Sequence, residues 1–149
     1  MIAYRLAHKN ALLARPDSLT TAGGEARWNS GGVFVTYLAE HVALAALEML
    51  NYAGIYRQMN GYELIKVDVD GRSIETVDPV VDVRDHAQTR PYGDAWVQSG
   101  RSLGLRVPSV TGPESWNLLL DQRHPEFGAL KPVRLGAFTF DPQVTDLLK

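Results

Sequence analysis

Cysteine is absent from the 149 residues, which excludes disulfide frameworks, thiolate metal sites and cysteine nucleophiles, and suits a reducing compartment. A strong charge of either sign is missing too. Lys and Arg number 15 against 17 Asp and Glu, for a formal net charge of −2. No basic field exists to gather phosphate backbones, so direct nucleic-acid binding is not expected. Long apolar runs are also lacking: Val42 to Leu47 is broken by Glu48, far short of a membrane span. Arg5, His8 and Lys9 interrupt what would be the apolar stretch of a signal peptide, and the expected location is the cytoplasm. There is no repeat or low-complexity segment, and Gly23-Gly24 fits neither a Walker loop nor a dinucleotide fingerprint.

The residues present, 45% apolar and 21% charged, describe one globular domain over residues 1–149. Tyr4 to Leu6 reads as a short strand, residues 16–32 as an ordered Gly/Ser/Thr-rich loop, and Val33 to Tyr37 as a buried strand. Leu38 to about Asn51 is built of strong helix formers with Gly54 as a stop. Ile65 to Asp70 alternates apolar and charged residues, and Asp70-Gly71 predicts a hairpin to a strand at Ile74 to Val77. Pro91 opens a helix covering Asp94 to Leu103, with Gly104 after its end. Leu105 to Val110 reads as a strand interrupted by Pro108 and Val133 to Phe140 as the last strand, with an irregular stretch between them. The sum is an α+β domain with mixed strands and flanking helices.

Glu48 lies in a helix whose neighbours leave almost no polar face, so the helix is expected to be buried all round. A buried carboxylate there needs a donor or a charged partner, or else a proton, and serves catalysis or a structural ion pair; the other reading is a solvent-facing Glu at the helix edge. Arg27, between two glycine pairs, can grip a phosphate with two parallel bonds or serve as a plain surface arginine. Tyr37, where strand meets helix, offers a ring face or packs in the core. Ser109 follows Pro108 without a nucleophile elbow, which leaves its hydroxyl a positioning role. His8, His41, His86 and His124 are scattered, and no metal site is expected.

In order, Tyr4-Arg5, Arg27-Trp28-Asn29, Val33 to Glu48 with Tyr37, Val107-Pro108-Ser109, Asn117 and His124-Pro125 resemble the RES domain family, named for an arginine, a glutamate and a serine. Ala26 stands where the family pattern has glycine. The resemblance implies a fold like that of ADP-ribosyltransferases and an enzyme that cleaves NAD at the nicotinamide–ribose bond, as the toxin of a toxin–antitoxin pair that arrests growth. It implies that Arg5 and Arg27 grip the pyrophosphate or ribose side, Tyr37 stacks near the nicotinamide, Glu48 acts on the ribose and Ser109 orients them. NAD is substrate, and no cofactor is implied. The implied partners are an Xre-type helix-turn-helix antitoxin that occludes the site and a second copy of the chain.

Loss of nicotinamide leaves an oxocarbenium-like ribose that one carboxylate can stabilise, and the leaving group needs no proton. The acceptor stays open between water, phosphate and a protein. A non-catalytic interaction module with Glu48 in a structural network is the alternative. An RNA-cleaving toxin ranks last, because a basic surface and a histidine pair are both missing.

Overall fold

A computed structural model describes residues 1–50 and 60–147. In chain order these form β1 (Ile2–His8), α1 (Lys9–Ala14), β2 (Val35–Ala39), α2 (Val42–Leu50), β3 (Tyr62–Asp68), β4 (Ile74–Thr76), α3 (His86–Ser99), β5 (Gly104–Pro108), β6 (Trp116–Asp121), β7 (Val133–Phe138) and α4 (Pro142–Leu147). The strands make one mixed sheet in the order β4-β5-β6-β2-β1-β3-β7, parallel between β4 and β5 and antiparallel elsewhere. The domain is therefore α+β, as the alternation of short elements implied.

Because side chains alternate across a strand, Tyr37 and Ala39 of β2 share a sheet face with Leu119 and Asn117 of β6, their register partners. Over that face Trp28, Trp96, Leu105, Val107 and Leu119 form one apolar cluster, and Ala39 packs with Leu44 and Ala45 of α2 in another. The opposite face buries Leu38, Leu118 and Leu120 against Leu12, Leu19 and Val67. The middle strands are thus covered on both sides.

Among the described residues, β1 and β2 are held in register at a single pair, Tyr4 with Ala39, whereas β1 pairs with β3 from Ile2 to His8. Past Tyr4 the ladder stops. Arg5 and Leu6 of β1 and Tyr37 and Leu38 of β2 then line one cleft.

Several expectations need correction. The hairpin after β3 does not form: the Asp70 carboxylate accepts the Arg72 amide at 2.9 Å and caps a 3₁₀ turn at Gly71–Ser73. Gly71 lacks the positive φ that a type I′ turn requires, and β4 instead pairs with β5 at the far edge of the sheet. Leu38 and Ala39 stay in β2, because they pair with Leu118 and Asn117. Helix α2 starts at Val42, where His41 Nδ1 accepts the Leu44 amide at 3.2 Å. It is not buried all round, since Ala43 and Leu47 are exposed; Asn51 and Gly54 lie outside the described residues.

Asp85 caps α3 through the Ala87 amide, so Pro91 falls inside that helix, and Gly100, at φ 63°, ends it. Gly104, expected after a helix, is the first residue of β5. Strand β6 lies in the stretch read as irregular. Its Leu118-Leu119-Leu120 run does not alternate because both faces are buried, which is the pattern of a central strand.

Candidate active site

A cleft of about 450 Å³ opens on the face carrying Tyr37 and Asn117. Strands β1, β2 and β6 supply its floor, α2 brings Glu48 and Met49, and the 25–28 loop and α3 bring Arg27, His86 and Arg90. Among the described residues no group of three His, Asp or Glu side chains could hold a metal ion.

Glu48, half-buried two residues from the end of α2, is held by three side chains. Ser109 Oγ donates to its Oε1 at 2.5 Å, Asn117 Nδ2 donates to the same oxygen at 2.8 Å, and Thr111 Oγ1 donates to Oε2 at 3.2 Å. Ser109 Oγ itself accepts the amides of Thr111 at 3.1 Å and Gly112 at 2.9 Å. Both lone pairs of that hydroxyl are engaged, so its one proton is directed at Glu48. These bonds fix the carboxylate before any ligand arrives, and hydrogen bonds to an ionised acceptor are among the stronger ones. Oε1 carries the two shorter contacts, and Oε2 the longer one.

Arg27 is placed by a loop that α3 grips from below. Thr89 Oγ1 donates to Arg27 O at 2.5 Å, Arg90 Nε donates to Ala26 O at 3.0 Å, and Asp94 accepts the Ser30 amide at 2.9 Å and its hydroxyl at 2.5 Å. Gly93 makes room, because a Cβ there would stand 1.7 Å from Trp28 O. Ala26 closes the loop by bridging to Asn29. The Arg27 side chain donates through NH1 to Val83 O at 3.1 Å. The Tyr37 hydroxyl is tied to the same loop, donating to Asn29 Oδ1 at 2.5 Å and accepting the Trp28 amide at 3.1 Å.

Arg5 also lines the cleft, and its NH1 donates to the carbonyls of Ser18 at 3.3 Å and Leu19 at 3.2 Å. Burial lowers its pKa from the usual value, against an opposing contribution from Asp17. Asp17 shapes the carbonyl-bearing turn by accepting the Leu19 and Thr20 amides at 2.8 and 2.7 Å.

The structure therefore brings Arg5, Arg27, Tyr37 and Glu48 to one cleft. Ser109 is buried and reaches the cleft through Glu48. Thr111, Asn117, His86 and Arg90 carry no assignable role in the sequence alone. Asn117 was visible only as one member of an ordered pattern. The α3 residues contact the Arg27 loop across more than 60 positions of chain, a separation that no local pattern reports.

The sequence profile of the RES domain family matches residues 2–141. A protein named Toxin Res from Yersinia enterocolitica is 33% identical over 151 aligned positions, which cover 97% of this chain and 99% of that protein. A Prs ADP-ribosylating toxin from a Sphingobium species is 31% identical over 143 positions, covering 86% of this chain and 87% of its own. Among solved structures, a chain in the crystal structure of the M. tuberculosis MbcT–MbcA toxin–antitoxin complex superposes with a TM-score of 0.68. That match is 19% identical and covers 99% of this chain and 87% of the other. At such identity it shows a shared fold.

Proposed function

The chain belongs to the RES domain family, and on that premise we propose that it is a toxin that breaks NAD at the nicotinamide–ribose bond. The observation that carries this reading is the Glu48 carboxylate, fixed by Ser109, Thr111 and Asn117 at the wall of a cleft that also holds Arg27 and Tyr37. As nicotinamide departs, positive charge grows on the ribose, and a carboxylate already oriented stabilises it without reorganising. Glu48 is such a group, and no second acid is needed, because nicotinamide leaves as a neutral molecule; Glu25, which also lines the cleft, pairs with Arg90 at 3.3 Å. Of the arginines that line the cleft, Arg90 is engaged with Glu25 and the Ala26 carbonyl; Arg27 and Arg5 are assigned to the pyrophosphate or ribose side, and Tyr37 offers its ring beside the nicotinamide. NAD is consumed as substrate.

Transfer of the ADP-ribosyl group to a protein is the second reading, favoured by the relative named as a Prs ADP-ribosylating toxin. Water and inorganic phosphate are the other acceptors. A toxin of this kind requires restraint in its own cell, and the solved relative from a toxin–antitoxin complex supports an antitoxin as partner. We assign that antitoxin an Xre-type helix-turn-helix and a segment that occludes the Arg27–Glu48 cleft, with a second copy of the chain in the complex. The test is to incubate the purified chain with NAD, alone, with phosphate and with candidate acceptor proteins, and to follow nicotinamide release. Release in any arm supports the reading, and its absence in all of them overturns it.

A further inference from the structure

Among the described residues, Asn117 Oδ1 is the buried side-chain polar atom that has no hydrogen-bond partner. Its amide orientation is dictated by its neighbour: Nδ2 stands 2.8 Å from Glu48 Oε1, and a carboxylate accepts and does not donate, so the NH₂ must face it. Among the described residues no donor meets the carbonyl. A buried acceptor in that condition carries its full desolvation penalty, and folded proteins tolerate it where a ligand or function uses the group. Asn117 lines the cleft and is anchored in the sheet between Ala39 and Val107, which makes it a rigid mount.

We propose that Asn117 is a substrate-binding residue that clamps Glu48 through Nδ2 and accepts a ribose hydroxyl of NAD at Oδ1. The assignment rests on the NAD-cleaving reading. Glu48 Oε1 is already engaged by Ser109 and Asn117, which leaves Oε2, with its single longer bond from Thr111, to take one hydroxyl of the nicotinamide ribose. The second hydroxyl of that cis-diol is the adjacent donor, and its assigned acceptor is Asn117 Oδ1, on the side chain whose Nδ2 is bonded to Glu48. Two acceptors mounted on different elements and joined by one hydrogen bond read the pair of hydroxyls together. A ring lacking the hydroxyl read by Asn117 leaves Oδ1 buried and unpaired, and a ring lacking the other leaves Oε2 with its Thr111 bond alone.

The experiment compares cleavage of NAD with that of its 2′-deoxy and 3′-deoxy nicotinamide-ribose analogues, for the full-length wild type and for Asn117→Leu and Asn117→Ser. Comparing variant and wild type on the same substrate cancels each analogue's own reactivity. On NAD, both variants are expected to lose about ten- to a hundredfold in kcat/KM. On one of the two analogues the loss should shrink to about twofold, because the hydroxyl that Asn117 accepts is already gone. An equal loss on NAD and on both analogues would make Asn117 only a prop for Glu48 and overturn the proposal. So would variants as fast as wild type on NAD. If Asn117→Leu fails to fold by circular dichroism, Asn117→Ser, which keeps a small polar side chain, decides. A wild type that cleaves no NAD would instead remove the reading on which the proposal stands.

Discussion

The Tyr37 hydroxyl donates to Asn29 Oδ1 at 2.5 Å and at the same time accepts the Trp28 amide at 3.1 Å. A residue read from sequence as a ring face is thus also the strut between β2 and the loop that carries Arg27. The Asn29 amide completes the tie by donating to the carbonyls of Gly24, Ser30 and Val33.

Tyr37→Phe separates the two roles, because it keeps the ring and removes the strut. Asn29 Oδ1 and the Trp28 amide lose a partner inside a buried segment, at a cost of about 1–3 kcal/mol. The expected outcome is a lower melting temperature and a raised KM for NAD, with kcat less affected than KM. Unchanged melting temperature and KM would show that the loop holds its shape without Tyr37.

Glu48→Gln should leave the fold intact and lower NAD turnover by about a hundredfold or more. Its Oε1 can still accept from Ser109 and Asn117, while its new NH₂ can donate to the Thr111 hydroxyl, which turns to accept. Geometry survives and charge does not. Circular dichroism with initial rates of nicotinamide release checks this, and a variant near wild-type rate would remove Glu48 from the chemistry.

Gly93→Ala should disturb the site from outside the cleft. The added methyl would stand 1.7 Å from Trp28 O, a backbone atom that cannot swing aside, so the loop bearing Arg27 must shift. Overpacking of this kind costs about 1–3 kcal/mol. Titration of NAD, with a thermal melt beside it, should show weaker binding together with lower stability. Unaltered affinity would mean that the loop moves without carrying Arg27 away.

What the sequence reveals depends on whether a constraint is local. Helix α2 was legible from its helix formers, and the order of motifs along the chain singled out Arg5, Arg27, Tyr37 and Glu48, which line one cleft, and Ser109, which bonds to Glu48. The bed under the Arg27 loop was not, because Thr89, Arg90 and Gly93 make no sense until α3 lies against residues more than 60 positions earlier. Strand β6 was hidden by its own success as a core strand, since Leu118 to Leu120 are fully buried and show no alternation. With β6 unseen, Asn117 had no sheet to stand on. The Asp70-Gly71 signal misled for the opposite reason: it is local, and the capping of a 3₁₀ turn by Asp70 satisfies the same two residues as well as a hairpin would.

Asp121 lies at the end of β6 opposite Val35 and makes stability depend on pH. Burial raises its pKa from the model-compound value of 3.8, and the Arg123 amide, which donates to Oδ1 at 2.9 Å, offsets only part of this. A raised folded-state pKa means that the folded chain holds the proton more tightly than the unfolded chain. The stability linked to this group is complete below the unfolded value and is lost as pH rises through the folded one, so at neutral pH the ionised carboxylate works against folding. Asp121→Asn removes the charge and keeps an oxygen for the Arg123 amide. The variant should melt at a higher temperature than wild type at pH 7, and the difference should shrink as pH falls through the raised pKa of Asp121, where the wild type is protonated too. Melting curves of both proteins across the acid range decide it. A gap that stays constant with pH would trace the gain to packing, and a variant that melts lower at pH 7 would show that the Asp121 charge favours the fold.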